Sequence, residues 1–441
     1  MKIVKLTLVF ILFFLINKPL SAQNKAVLLA PAIKTQIVDS LSWSLLKNYV
    51  FRDTAVKMGA YIKKRLHDGD YNAIIIPNEF AQILNSDLHS VYNDVHLSIN
   101  YDPGLEKALQ DTSRKGANQR QEQNLHDAEQ QNFGFKKIEI LSGNIGYISF
   151  DRFFSLNNKA KETVNSAFTF LKNVNALIID VRGNGGGDAD MVKYICGYFF
   201  NKRTHINDLY ERHTNKTTQY WADPLNVGSF SSMPVYILVN RRTFSAAEEF
   251  TYDMQTLHRA IIIGETTGGG AHPVAPEMLS NGFIGNIPYA RAINPVTKKN
   301  WEAIGVKPDV EINADSALDA AVLSYYDQQI TFSKDSAIVK TLKWSREMLN
   351  ARLHPVTVDT AILKSYVGNY ANRMINNEGG TLFYTGRNGK KLKLMALSQT
   401  MFKIDNIDNM KLKFVGNTEG QINELDFIFE DGFVATYKRK Q

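Results

Sequence analysis

Pro234-Val-Tyr-Ile-Leu-Val-Asn-Arg-Arg-Thr-Phe-Ser-Ala-Ala-Glu-Glu-Phe250 decides how this chain is built. The apolar run Val235–Val239 gives way to a polar turn and then to alanines and glutamates, so the stretch reads as strand, tight turn and helix. Ser245 opens that helix. Free backbone N–H groups and the positive end of the helix dipole can stabilise a developing oxyanion there, beside a serine hydroxyl. The same position suits a serine that only caps the helix. The surroundings decide between the two.

Working outward, Ile145-Gly-Tyr-Ile-Ser-Phe150, Ala176-Leu-Ile-Ile-Asp-Val181 and Ala260-Ile-Ile-Ile-Gly264 are further short buried strands. Helical stretches near 159–172, 188–200 and 245–257 separate them, which predicts an α/β layered core over residues 134–325. Upstream, Ile37, Leu41, Leu45 and Leu46 share one helical face, and Ala81, Leu84, Leu88 and Val91 share another. Residues 23–102 are therefore expected to form a helical N-terminal domain. Residues 103–133 are rich in Gln, Asn, Lys and Asp, and read as a mobile or solvated polar linker. Beyond the core, a connecting helix within 326–354 leads to Pro355. The remaining 355–441 is strand-rich, with Asn388-Gly389 as a hairpin signal, so a small antiparallel sandwich or barrel is expected.

The chain has 441 residues, 44% apolar and 22% charged, a composition with ample material for buried cores. Lys2 and Lys5 precede the apolar stretch Leu6 to Ile16, and Leu20-Ser-Ala22 ends it with small residues. This reads as a signal peptide over 1–22 and predicts export to a periplasm or the cell exterior, with no membrane span after its removal. The single Cys196 lies in an apolar run and reads as a core thiol. The formal charge of +7 is scattered, with no basic stripe interleaved with aromatics, so nucleic-acid binding is disfavoured.

Asp180-Val-Arg-Gly-Asn-Gly-Gly-Gly187 follows one buried strand, and Gly264-Glu-Thr-Thr-Gly-Gly-Gly-Ala-His-Pro273 follows another. Glycine runs of this kind let backbone N–H groups point into a site. The first lacks both the Gly-Lys-Ser/Thr ending of a phosphate-binding loop and the dinucleotide glycine spacing. A tight strand-to-helix turn stays open as its simpler role. Two such loops beside a helix-opening serine fit a cleft that binds an extended backbone and polarises a carbonyl. Serine needs a base to take its proton, and histidine is the usual one. His96, in Asn93-Asp-Val-His96-Leu97, closes the helical region just before the first extended segment.

Together, Leu177–Gly187, Thr243-Phe-Ser-Ala-Ala-Glu-Glu249 and Gly264–Gly268 resemble the tail-specific, carboxyl-terminal processing family of serine peptidases. Asn48–Phe51, Asp94–Leu97 and Asn300-Trp-Glu-Ala-Ile-Gly-Val-Lys-Pro-Asp-Val310 are similar to the branch containing the tricorn protease core and interphotoreceptor retinoid-binding protein. The resemblance implies a crotonase/ClpP-like layered core and peptide or protein substrates, with no cofactor and no metal. It implies Ser245 as nucleophile, His96 as general base and Glu302 as the supporting acid. The backbone N–H groups of Gly186 and Ala246 would form the oxyanion hole, and Gly185, Gly268 and Gly269 would contact substrate.

Departures from the family pattern are specific. The Ser–Lys branch has a lysine where this chain has Gly270, and no lysine occurs between 243 and 297. The tricorn-like branch has a serine beside its histidine, where this chain has Val95. His272 is the rival base. No PDZ insertion is visible, because 103–133 is short and polar. Glu248 and Glu249 are candidate catalytic carboxylates, but read rather as one paired with the helix dipole or a nearby arginine and one solvated. A non-catalytic retinoid-, lipid- or peptide-binding protein on the same scaffold is the competing function.

Overall fold

The computed structural model describes residues 28–225, 228 and 230–440. The signal-peptide reading of 1–22 lies outside them. The central sheet has six strands, in the order Val310–Glu311, Ile261–Gly264, Val235–Val239, Ala176–Asp180, Ile145–Phe150 and Phe135–Leu141. The last is antiparallel and the other five are parallel. Because the strands follow chain order without reversal, right-handed crossovers return on one face. That face carries the helices Asn158–Phe170, Ala189–Cys196 and Ala246–Thr256, packed on Ile148, Leu177, Ile179, Ile237 and Ile262. Alternate residues Tyr147, Ile178, Tyr236, Leu238 and Ile263 face the other way, against helices Ala317–Phe332 and Ser336–Leu353. Coverage on both faces explains why these strands are continuous apolar runs.

The N-terminal helices are Pro31–Asn48, Arg52–His67 and Pro77–Val91, two of them with proline in the first turn, where its missing N–H costs nothing. Ile37, Leu41, Leu45, Phe80, Leu84 and Leu88 pack together and also against Leu279, Phe283 and Ile287. Leu46, which spacing placed on the same face, is exposed. Leu279, Phe283 and Ile287 belong to a hairpin, Val274–Ser280 and Phe283–Pro288, that the sequence reading missed. Its turn is Asn281-Gly282, with φ of 54° and 85°, the left-handed pair that a two-residue hairpin requires. Strand Ser98–Tyr101 adds to this hairpin, pairing with Phe283–Asn286. That pairing carries the segment containing His96 onto the central domain.

The 103–133 segment is not an unstructured linker. It forms helices Pro103–Gln110 and Arg114–Gln130, N-capped by Asp102 and Ser113, whose side chains accept from Leu105 N and Gly116 N. Its Gln, Lys, Glu and Ala residues are good helix formers, and only Gly116 and Ala128 are buried. Polar composition here reports solvation, not lack of structure.

Eight antiparallel strands from Gly368–Tyr370 to Val434–Lys438 follow one another in chain order. Hydrogen bonds from Ala371 N to Lys438 O and from Lys440 N to Asn369 O join the two ends, so this sheet closes into a barrel. Tyr370, Leu394, Phe402, Phe414 and Phe427 fill the interior, and Tyr366 from helix Thr360–Tyr366 stacks on Phe414 at 4.0 Å. Among the described residues, no helix is long and apolar enough to cross a membrane.

Phe283 is wholly buried, with its ring centroid 5.9 Å from Phe80 and 5.2 Å from Tyr101. Phe283→Ala is expected to cost about 3–5 kcal/mol in urea denaturation, by opening a cavity between the helical unit and the hairpin. A loss within about 0.5 kcal/mol would show that this contact does not hold the helices in place.

Candidate active site

The turn before Ser245 is pinned to the first glycine loop. Thr243 Oγ1 donates to Val181 O at 2.8 Å, and Phe244 N donates to Asn184 O at 3.0 Å. Ser245 itself has φ 55° and ψ −121°, a conformation that costs a non-glycine residue about 1–3 kcal/mol. Sharp strand-to-helix turns of this kind expose a serine hydroxyl at the edge of a sheet. The Glu248 carboxylate holds the turn in place. It is fully buried and accepts four hydrogen bonds: Ser245 N at 2.9 Å, Thr267 Oγ1 at 2.5 Å, Gly269 N at 2.6 Å and Gly270 N at 2.8 Å. Glu248 is thus a structural tie between the Ser245 turn and the second glycine loop. Neither glutamate is solvated: Glu249 is buried too and accepts from Asn207 Nδ2.

Gly186 sits directly behind the serine. A Cβ there would lie 2.7 Å from Ser245 Cβ and 2.9 Å from Ala246 N, and its φ is +96°. Only glycine fits. Its N–H, however, donates to Asn184 Oδ1 at 2.9 Å, and Gly185 N donates to Asp151 O at 3.2 Å. Both amides expected to face substrate are therefore engaged, Gly186 by Asn184 within the loop and Gly185 by Asp151 at the end of the neighbouring strand. Gly187 lines the cavity beside Ser245 and Ala246. Among the described residues, the N–H groups of Gly187 and Ala246 make no hydrogen bond.

The second loop differs similarly. Gly268 N donates to Thr243 O at 3.0 Å and Gly269 N to Glu248, so these two serve the loop and not the cavity. Gly270 and Ala271 line the cavity instead. A Cβ on Gly270 would fall 2.4 Å from His96 Cε1 and 2.4 Å from Phe244 Cζ. The position that carries lysine in the Ser–Lys branch must be bare here, because the imidazole occupies that space.

His96 and Ser245 line one cavity of about 310 Å³. The imidazole lies over the Phe244 ring at a centroid separation of 4.6 Å. No hydrogen bond joins the His96 ring to the serine hydroxyl among the described residues, and His96 Nδ1 is buried without a partner. Burial first, with the His272 charge adding, pulls His96 down to about 4, against the pull of Asp94. The ring is neutral at pH 7.

Behind it lies a buried acid group. Asp94 accepts from Tyr49 Oη at 2.9 Å and from His96 N at 3.1 Å, and its Oδ2 lies 2.9 Å from His272 Nδ1. Burial pushes Asp94 up, but the hydrogen bonds from His272 and Tyr49 outweigh it and keep the carboxyl below its ordinary value. Glu302 Oε2 accepts from Ala271 N at 2.6 Å and lies 3.4 Å from His272 Nδ1, while its Oε1 has no partner among the described residues. Burial pushes Glu302 up to about 7, which His272 opposes and Asp94 reinforces. Val95, exposed to solvent, supplies no hydroxyl to join the orphaned His96 Nδ1 and Glu302 Oε1. His272 packs edge-on to Phe51 and lines a second cavity with Glu302, apart from Ser245.

Asp94, His96 and Glu302 place ligand atoms within 4.8 Å of one another and could hold a cation, although both Asp94 oxygens are already engaged. Asp180, hydrogen-bonded to Tyr147 and paired with Arg182, braces the first loop from outside the cavity. Cys196 is buried and its thiol is pushed up by burial. Sequence reasoning missed Asp94, Tyr49, Gly187 and Glu248 as parts of the site. For Glu248 a signal existed, since Ser245-Ala-Ala-Glu248 has capping-box spacing.

Residues 144–312 match the family described as Peptidase family S41, and residues 20–133 match the N-terminal domain of Peptidase S41 in eukaryotic IRBP. Over 183 residues the chain is 29% identical to carboxyl-terminal-processing peptidase 2, chloroplastic, of Arabidopsis thaliana, covering 38% of this chain and 32% of that protein. It is 25% identical over 261 residues to the carboxy-terminal processing protease CtpA of Bacillus subtilis (strain 168), covering 58% and 53%. The solved structure of the tricorn protease superposes with a TM-score of 0.41 at 15% identity, over 72% of this chain and 37% of that one. The chain spans between about a third and about half the length of these two curated relatives.

Glu248→Gln tests the tie. An amide has one acceptor oxygen where four donors converge on two, so its NH2 must face donors. A loss of about 2–3 kcal/mol in thermal or urea unfolding is expected, as for a buried polar group left unpaired. Unchanged stability would mean the two loops are held by other contacts.

Proposed function

Because the chain belongs to peptidase family S41, we propose that it is an exported serine endopeptidase acting through an acyl-enzyme on Ser245. The observation that carries this reading is the shared cavity of Ser245 and His96, with two unbonded amides at its wall. Three units would serve the activity: the helical domain of residues 23–102, a crotonase/ClpP-like catalytic core over 134–325, and the β-rich domain of 355–441.

In the proposed reaction, neutral His96 takes the Ser245 proton as the hydroxyl oxygen attacks a peptide carbonyl. The carbonyl oxygen gains charge and accepts from Ala246 N–H and, in place of Gly186, from Gly187 N–H. Donors aimed at that oxygen are worth about 3–4 kcal/mol of transition-state stabilisation each. The imidazolium then gives its proton to the leaving amine. Water, deprotonated by His96, hydrolyses the ester and returns Ser245. Glu302 in its ionised form favours the imidazolium through charge, and Asp94 orients the histidine segment through the His96 amide. His272, held against Asp94 and Phe51 in a separate cavity, is a buttress of the acids and not the base.

Ser245→Ala is expected to abolish fluorophosphonate labelling and to lower peptide kcat/KM by about 10⁴-fold or more. Undiminished cleavage by that variant would reject the assignment. The pH profile tests Glu302. Its carboxyl, raised to about 7, is neutral below that value and leaves the imidazolium unsupported, so kcat/KM should rise with pH through about 7. In Glu302→Gln that rise should vanish, and the remaining acid limb should fall near the His96 value of about 4. An unaltered limb would remove Glu302 from the mechanism.

A further inference from the structure

The residues lining the cavity beside Ser245 include Asp188, Asp190 and Glu249 and, among the described residues, no lysine or arginine. Glu249 lies in the first turn of helix Ala246–Thr256, four residues after Ser245, and lines the same cavity. Glu249 is only 6% exposed; Oε1 accepts from Asn207 Nδ2 at 2.9 Å, and Oε2 accepts no hydrogen bond among the described residues. Asp190 is paired with Lys193 at 2.8 Å. Asp188 caps helix Ala189–Cys196, its Oδ1 accepting from Asp190 N at 2.7 Å, and has no ion-pair partner among the described residues.

The lining of the same cavity also includes the apolar Leu209, Ala271, Val274, Ala292 and Trp301. A cavity lined by apolar residues and by a carboxyl with no ion pair suits an alkyl stem that carries a cation. An apolar side chain would leave Glu249 without a counter-ion, and an acidic one would repel it. Burial, with Asp188 and Asp190 adding to it, pushes Glu249 up to about 7, so an arriving cation also draws it into its charged form.

We propose, resting on the serine peptidase reading, that this enzyme cleaves after lysine and arginine. The side chain of the residue whose carbonyl meets Ser245 enters the cavity and sets its cation against Glu249, with Asp188 beside it. Glu249 is then the specificity-determining residue, and substrates are proteins or peptides with exposed basic positions.

Aminocoumarin peptides Ala-Ala-X, with X as Lys, Arg, Leu, Ala or Glu and the N-terminus either free or acetylated, test this. Lys and Arg should exceed Leu in kcat/KM by about ten-fold or more, and Glu by about a hundred-fold. Glu249→Gln should reduce the Lys-to-Leu ratio by about ten-fold. Asp188→Asn, on the half-exposed rim, should move the ratio the same way should the buried variant misfold. Fluorophosphonate labelling of Ser245 reports whether each variant's site is intact. Fluorescence of bound p-aminobenzamidine reads the cation site without turnover and should weaken about ten-fold in Glu249→Gln.

Equal rates for Lys and Leu with Ser245 labelled would overturn the specificity and leave the hydrolase standing. Benzamidine binding that depends on Glu249, with no peptide cleaved and no label taken up, would keep the cation site and overturn the hydrolase. A preference confined to peptides with free N-termini would assign the cation to the α-amine and overturn the side-chain assignment.

Discussion

Four donors on one buried carboxylate hold this site together. Glu248 draws the Ser245 amide, the Thr267 hydroxyl and the amides of Gly269 and Gly270 onto two oxygens inside the protein. Hydrogen bonds to an ionised acceptor away from water are strong, and none of the donors has solvent to turn to. That concentration of donors can sustain the unfavourable backbone angles of Ser245. It also fixes Gly270 close enough for the His96 ring to settle against it. Ser245, the glycine loop and the imidazole are therefore located by the same carboxylate.

Electrostatics behind the imidazole follow from burial with unequal compensation. Asp94 collects three hydrogen bonds and stays ionised. Glu302 collects one, from Ala271 N, and is held near neutrality by the cost of burial. His96, poorly solvated and without a bonded Nδ1, is neutral. Two carboxyls with different environments thus take different roles, one as a fixed anchor of the histidine segment and one as a titrating neighbour. The orphaned atoms on His96 and Glu302 mark where Val95 stands in place of a hydroxyl-bearing residue.

Much of the fold was legible because the central strands are buried on both faces and so announce themselves as apolar runs. Ser245 was legible from its place between such a run and an Ala/Glu helix. The second glycine loop was legible as a loop, but of the two amides expected at substrate Gly268 N bonds Thr243 O and Gly269 N bonds Glu248. The same happened with Gly186, whose N–H Asn184 takes. A glycine run reveals that backbone must come close to something; it does not say to what. The helices of 103–130 were missed because solvated helices and solvated coils share a composition, and the Asn281-Gly282 hairpin was missed although its turn dipeptide was present.

Local chemistry in the sequence determined the strand-turn-helix at Ser245 and the glycine positions, while His96 and Glu302 entered as its partners through the family resemblance. Those properties depend on neighbours a few residues away, which the sequence records directly. Tertiary structure alone decided that His96 shares a cavity with Ser245 and His272 does not, that Gly187 and not Gly186 keeps a free amide, and that Glu249 faces the cavity. Each of these depends on pairing between segments far apart in the chain, above all strand Ser98–Tyr101 against Phe283–Asn286. Such pairings are set by packing and by competition for hydrogen-bond donors, quantities that no single stretch of residues contains.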